Sequence, residues 1–237
     1  MDIRDWRTKL RIGVHAADPA AILGAFSEAI PIECLQVAGD ALLVALAASD
    51  PSPEARSVVA RCRDALIERG WTGDHELVVE LDGALAGSRM PLPATPVDLE
   101  DLADLLEGTG EGGLLDVQTG QVWPQVAIEY SRETGDGAVP EEADGVRWLV
   151  AWSEGSSEGY ADMQDFIATV SDPSVAERLS IAIEGKGAFR RFRDVLERWP
   201  QEVTRWHAFS DDRRRGRARV WLADAGYRPQ PGVRPVA

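Results

Sequence analysis

The sequence predicts a mainly helical α+β protein, with a helical N-terminal domain and a C-terminal domain in which a small antiparallel sheet is covered by helices. Three observations lead there. Apolar residues recur at helical spacing up to about residue 90. Pro91, Pro93 and Pro96 then crowd a segment that cannot be a helix interior. Beyond them, short apolar runs around Thr119-Gly120, and a third near 150, read as strands before helical periodicity resumes. With 237 residues, two modest domains are the natural division. The predicted boundaries are 1–90 for the first, 91–96 for a proline-rich linker, 97–230 for the second and 231–237 for a tail.

Asp18-Pro19 has the form of a helix N-cap followed by proline at the first helical position, opening Ala20 to Ile30, with Leu23, Phe26 and Ile30 on one face. The segment Glu33 to Ala48 fits a buried helix broken near Gly39, or a β-hairpin turning at Gly39-Asp40; the helix is preferred. Ser52-Pro53-Glu54 starts an amphipathic helix through Val58, Val59, Cys62 and Leu66 that stops at Gly70. A short helix from Asp74 to about Ala86 follows, although its Val78-Val79 pair would also suit a strand. Leu99, Leu102, Leu105 and Leu106 place an acidic amphipathic helix over 97–107. A hairpin spans Gly112 to Pro124, Ser131 to Asp144 reads as an exposed acidic loop, and Val146 to Trp152 reads as a third strand. After Gly159 everything reads as helical, with breaks at Ser171-Asp172-Pro173, Gly185-Lys186-Gly187, Trp199-Pro200 and Asp211-Asp212.

Composition narrows the function classes. At 44% hydrophobic and 27% charged the chain is an ordinary globular protein, without an apolar run long enough to span a bilayer. Its first residues, Met1-Asp2-Ile3-Arg4-Asp5-Trp6, lack the basic-then-apolar layout of a signal peptide, so a cytoplasmic location is expected. A formal net charge of −15 disfavours a general DNA-coating role. The charge is unevenly spread: residues 181–237 hold 13 Lys/Arg against 7 Asp/Glu, whereas 96–180 hold 19 acids and only Arg132, Arg147 and Arg178. That polarity suits docking of the basic end on the acidic centre, ordinary solvation, or a basic face for a phosphate-bearing partner.

The strings Gly159-Tyr160-Ala161-Asp162-Met163-Gln164-Asp165-Phe166-Ile167 and Glu184-Gly185-Lys186-Gly187-Ala188-Phe189-Arg190-Arg191-Phe192-Arg193-Asp194-Val195-Leu196 resemble the uncharacterised protein family 0158 (UPF0158). The hairpin Leu115 to Val122 and the ending with Trp206, Phe209, Arg217, Ala218 and Trp221-Leu222 are similar to that family's pattern too. Together these strings cover about 97–228, and the first 90 residues look like an extension carried by some actinobacterial members. The resemblance implies a fold arrangement and a cytoplasmic bacterial origin. It brings no reaction, ligand or catalytic residue with it.

Candidate binding residues lie in the motif region. Phe189, Phe192, Leu196 and Trp199 are spaced to bury one helix face, which turns Arg190, Arg191 and Arg193 elsewhere. Asp162 and Asp165 on the preceding helix are placed for carboxylate-to-arginine contacts across the two helices, and Arg190 can pair with Asp194. Alternatively, Gly185-Lys186-Gly187 leads into a helix whose free N–H groups, with Lys186, Arg190 and Arg191, would accept a phosphate. Arg213 to Arg219, with Trp206 stacking on a base, would suit a nucleic-acid backbone; the competing reading is the solvated face of a packed helix whose stripe is Ala218, Trp221, Leu222 and Ala225. The glycines match no P-loop, and His15, His75 and His207 have no zinc spacing. The sequence predicts no catalytic residue, no cofactor and no metal.

The leading expectation is therefore a non-catalytic cytoplasmic protein-interaction module with a protein partner. One alternative is a phosphate or RNA contact built on Lys186, Arg190, Arg191, Trp206, Arg213 and Arg217. A second is a metal-dependent enzyme using Asp162 and Asp165.

Overall fold

The computed structural model describes residues 2–27, 29–48, 50–88, 90–107, 111–135, 139–140, 142–153 and 155–232. Part of the expected acidic loop and most of the expected tail lie outside them. Among the described residues the chain is mainly helical, with a three-stranded antiparallel sheet and one two-residue parallel pair. The α+β architecture is as the sequence predicts.

Helix α1 (Ile3–His15) starts on Asp2, whose Oδ1 accepts the Arg4 N–H at 2.7 Å, and buries Trp6, Leu10 and Gly13. Helix α2 (Pro19–Gly24) is capped by Asp18 and ends well before Ile30. The early stop has a cause: Trp6 Nε1 donates to the Ala25 carbonyl at 2.9 Å, and Arg61 donates to the Phe26 carbonyl. These contacts draw Phe26 edge-on to Trp6, 5.8 Å between ring centroids.

A single 3₁₀ turn (Ile32–Cys34) runs into α3 (Leu35–Ala48), which is an unbroken helix through Gly39. Gly39 is a packing glycine. A Cβ there would fall 2.5 Å from a Leu77 methyl on α5 (Asp74–Ala86), so the two helices approach too closely for any larger residue. Between them α4 (Pro53–Arg69) begins on the Ser52 cap and ends on left-handed Gly70, both as expected. Trp6, Leu10, Phe26, Leu35, Leu42, Val59, Leu66 and Leu77 form the core of this half. Cys34 and Cys62 lie inside it, and burial pushes each thiol up to about 12, so neither is a thiolate near neutral pH.

Within the expected linker, β1 (Ala94–Thr95) pairs in parallel with the late strand β5 (Arg228–Pro229). Helix α6 (Leu99–Glu107) follows, then the hairpin β2 (Gly113–Asp116) and β3 (Val122–Pro124), then α7 (Gln125–Thr134), then β4 (Trp148–Ala151). Strand order is β3-β2-β4, with Leu114 opposite both Trp123 and Val150. Helix α7 corrects the loop expectation at its N-terminal end. It buries only Ile128 and Ser131, too few apolar positions for a stripe to show in the sequence.

The last third is helical: α8 (Ser157–Thr169), α9 (Pro173–Ala182), α10 (Ala188–Leu196) and α11 (Pro200–Asp224). Phe166, Leu179, Phe192, Leu196 and Phe209 make their core. Phe189 is not part of it. It is 46% exposed and lies over Gly159, where a Cβ would come within 3.1 Å of its ring.

Helix α11 runs straight through Asp211-Asp212, where a break was expected, and it touches α1, α3, α5, α6, α8, α10, the 3₁₀ turn and β5. It supplies Ala208 to the N-terminal core, Phe209 to the α8–α10 core, and Ala218 and Leu222 to a third core with Leu102, Leu106, Leu115 and Ala151. Gly216 makes this central position attainable: a Cβ there would sit 2.1 Å from the Thr72 carbonyl oxygen, and one on Gly73 would meet the Gly216 backbone at 2.3 Å.

Candidate functional site

A helix buried on several sides must find partners for whatever polar groups it carries. In α11 those groups are arginines at 213, 214, 215, 217 and 219, and helical spacing distributes them over three directions. Ala208, Asp212, Arg215, Gly216 and Arg219 recur every three or four residues and face α3 and α5. Phe209, Arg213 and Arg217 face α8. Arg214, Ala218 and Leu222 face α6 and the sheet.

Toward α8, Asp162 is wholly buried and is gripped from two sides. Arg213 Nε lies 2.6 Å from its Oδ1, and Arg217 donates to both oxygens at 3.1 and 2.7 Å. Arg213 also reaches Asp165 at 2.9 Å, while Arg217 Nε donates to Glu107 at 2.6 Å. Toward α6, Arg214 pairs with Asp104 and lies 3.5 Å from Glu107.

Toward the N-terminal helices the contacts form one buried chain. Arg219, 1% exposed, donates to Gln36 Oε1 at 2.9 Å, to Glu80 at 2.6 Å and to Asp40. Gln36 Nε2 donates to Asp74 at 2.9 Å. Arg69 bridges Asp74, at 2.6 and 3.0 Å, to Asp212 at 2.6 Å. Asp212 Oδ1 in turn accepts the Gln36 and Val37 N–H groups at 2.9 and 3.3 Å. Asp212 thus caps α3 from another helix. Burial raises its carboxyl to about 6, with Arg69 and the two backbone N–H groups pulling the other way.

This arrangement relocates the predicted site residues. Asp162 and Asp165 are paired with arginines, as the spacing suggests, but the partners are Arg213 and Arg217 of α11 rather than the arginines of α10. Arg213 and Arg217 point inward onto acids, so neither the nucleic-acid face nor the solvated-face reading describes them. Trp206 is half-buried, stacked on Phe209 at 6.2 Å and edge-on to Phe192 at 4.8 Å, which leaves it a packing residue rather than a base platform. Asp162 and Asp165 line neither of the two large clefts described below. Among the described residues no group of three or more His, Cys, Asp or Glu side chains is placed to hold a metal ion.

The loop at Gly185-Lys186-Gly187 is occupied from within. Arg191 Nε donates to the Ala182 carbonyl at 3.0 Å, and its terminal nitrogens reach the carbonyls of Glu184, Gly185 and Lys186. The loop presents carbonyl oxygens to a guanidinium, the opposite of a phosphate cradle. Lys186 and Arg190 remain on the surface, Arg190 near Asp194 at 3.7 Å. Arg191→Ala is accordingly expected to lower stability by about 0.5–1.5 kcal/mol and to speed amide exchange across 184–188, because the loop carbonyls lose the donor that gathers them. Arg190→Ala should change stability by less than about 0.5 kcal/mol, the scale of an exposed pair. Urea titration and hydrogen exchange of the two variants check the contrast.

Two clefts are open to ligands. The first, about 690 Å³, lies between α6, the hairpin and α7; Leu105, Val122, Pro124 and Val126 line it together with Asp101, Asp104, Glu111 and Glu129. Val126 and Tyr130 on α7 are 73% and 67% exposed. Gly112, at the edge of the groove, packs on the backbone of Trp152, itself 72% exposed. The second cleft, about 750 Å³, lies between α1, α3, the start of α6 and α11. Sequence reasoning missed both, because each is assembled from segments far apart in the chain.

The fold and its central helix define an α+β protein whose C-terminal part is organised on an arginine-bearing helix. Residues 146–230, from just before β4 to just after β5, match the model of the Uncharacterised protein family (UPF0158). The UPF0158 protein PA5073 of Pseudomonas aeruginosa is 26% identical over 141 residues, covering 60% of this chain and 90% of that protein. This C-terminal part is therefore similar to the UPF0158 family, in keeping with the motifs around Asp162 and Arg191. The match covers the motif helices and α11, whereas the hairpin at 113–124 lies outside it. No solved structure matches the chain. No helix among the described residues is long and apolar enough to cross a membrane.

Proposed function

We propose that the chain is a non-catalytic cytoplasmic protein-interaction module whose contact face is the groove between α6 and α7. One observation carries this reading: a groove with an apolar floor is flanked by the exposed large side chains of Val126, Tyr130 and Trp152. A contiguous apolar surface rimmed by polar groups is a protein-contact signature, and Tyr and Trp are common interface anchors. The charged residues that line it are acidic, Asp101, Asp104, Glu111 and Glu129; Asp104 pairs with Arg214, and Glu129 accepts from the Gln125 amide at 3.1 Å. The partner segment that complements this surface is basic with an apolar side chain for the floor.

The test is affinity capture of full-length protein from native cytosol, comparing wild type with Val126→Asp/Glu129→Arg. Circular dichroism confirms that the variant is folded. The expected result is loss of a partner whose crosslinked segment is rich in Lys or Arg. Identical partners with both proteins would sink the proposal, as would a crosslinked segment that is acidic. Arg190→Ala in parallel reports on the basic surface of α10, which keeps Lys186 and Arg190 for a phosphate or RNA contact; loss of nucleic acid with that variant alone would favour the alternative.

A further inference from the structure

The second cleft has a different chemistry and does not depend on the first. Along α1, Arg4, Arg7, Arg11 and His15 recur every three or four residues and line it as one stripe. Along α11 the facing positions are Thr204, His207 and Arg215. The two helices run side by side in the same direction, because Arg4 reaches Thr204 at 3.5 Å and Arg7 reaches Asp211 at 2.9 Å.

Pairing decides the sign of this cleft. Arg7 is balanced by Asp211, and Arg215 by Asp40 at 3.1 Å. The acids that line the cleft are engaged as well. Asp40 also holds Arg219, Asp98 accepts the Glu100 N–H at 2.8 Å at the start of α6, and Glu100 lies 4.0 Å from Arg215. Among the described residues no carboxylate lies within 4.0 Å of the guanidinium of Arg4 or Arg11 or of the imidazole of His15 or His207, the Asp2 carboxylate being spent on the Arg4 backbone N–H. The lining thus sets Arg4, Arg7, Arg11 and Arg215 against Asp40, Asp98 and Glu100, and the Arg4 and Arg11 guanidinium groups are the ones left without a carboxylate beside them. Leu10, Val14, Val44 and Val97 line its apolar part. Its volume is in the range of small-molecule sites, which favour junctions between separately packed parts of a chain.

We propose that this cleft binds a small organic anion, a phosphate monoester or carboxylate carried on an apolar body, with Arg4 and Arg11 holding the anionic group. A guanidinium fork matches either oxyanion, and the apolar lining rewards a ligand with more than the head group. The site is separate from Lys186 and Arg190, which lie on α10 and the loop before it.

Calorimetric titration of the full-length protein at low salt tests it, with phenyl phosphate, benzoate, inorganic phosphate and benzyl alcohol as probes. Saturable binding of phenyl phosphate or benzoate is expected, and whichever of the two binds more tightly identifies the head group. Inorganic phosphate, lacking the apolar body, and benzyl alcohol, lacking the charge, should each bind at least about tenfold more weakly. Arg4→Gln/Arg11→Gln should weaken the anionic probes by about tenfold or more, whereas Lys186→Gln/Arg190→Gln should leave them unchanged. Both arginines are exposed, so the double variant is expected to fold, and circular dichroism checks this. The proposal is overturned if neither anionic probe saturates, if the Arg4/Arg11 variant binds as wild type does, or if benzyl alcohol binds as tightly as phenyl phosphate. Inorganic phosphate binding as tightly as phenyl phosphate would overturn the role of the apolar lining.

Discussion

Replacing Asp212 by alanine is expected to destabilise the protein by about 3–5 kcal/mol, among the largest effects of any single polar substitution in the chain. The size comes from what is left behind rather than from the strength of the ion pair. Asp212 holds the buried Arg69 guanidinium at 2.6 Å and accepts the Gln36 and Val37 N–H groups at the start of α3. Without it, a buried cation retains only Asp74 as its carboxylate, and two helix-terminal donors lose their acceptor. Urea unfolding monitored by circular dichroism gives the difference, and a loss below about 1 kcal/mol would contradict the geometry.

The same residue predicts a pH dependence. Burial raises the Asp212 carboxyl from its ordinary 3.8 to about 6 in the folded protein. Between those values the folded state holds a proton that the unfolded state releases. The stability this group contributes is therefore fullest below pH 4, falls as pH rises through about 6, and is level above that. Asp212→Asn keeps an acceptor for the Gln36 N–H while abolishing the titration. Its stability relative to wild type should therefore improve as pH rises from 4 to 6, and an unchanged difference across that window would contradict the shifted carboxyl.

The fold was largely legible because its helices carry local signals. Asp18 and Ser52 are N-caps that a short window reveals, and the leucines of α6 show its buried face. The errors share a physical origin in tertiary contact. Gly39 reads as a helix breaker until Leu77 is seen to fill the space beside it. Asp211-Asp212 reads as a helix end because an aspartate usually caps its own helix, whereas here it caps α3. Arg213 to Arg219 reads as a basic surface because no local feature reveals that α11 is enclosed on several sides. One signal was available: in a chain of net charge −15, a helix with arginines at three- and four-residue spacing has acids to meet, and the charge asymmetry pointed to docking of the basic end on the acidic centre. The clefts left no such trace, since their lining comes from α1, α3, α6, α7 and α11 without a shared motif.

Arg219→Met carries the second large expected effect, a loss of about 3–5 kcal/mol, and it separates the burial of charge from the packing of the side chain. Methionine retains much of the length that passes between α3 and α5 but leaves Glu80 and Asp40 without their shared cation. Glu80 is already in a poor position: burial raises its carboxyl above the ordinary 4.5 despite Arg219, and its Oε2 has no hydrogen-bond partner. With the guanidinium gone its carboxyl rises further, so the variant loses stability as pH climbs above 4.5, with the loss greatest near neutrality. Adding Glu80→Gln removes the stranded charge, Asp40 keeping Arg215 as its partner, and the double variant should recover half or more of the lost stability. If Arg219→Met alone stays within about 1 kcal/mol of wild type, or if the double variant is no better than the single one, the buried charge is not what holds α11 against the N-terminal helices. Because Gln36 touches both Arg219 and Asp74, and its backbone N–H is held by Asp212, Asp212→Ala and Arg219→Met should combine to less than the sum of their separate losses. A sum that is simply additive would show that the buried polar chain works as independent pairs rather than as one connected unit.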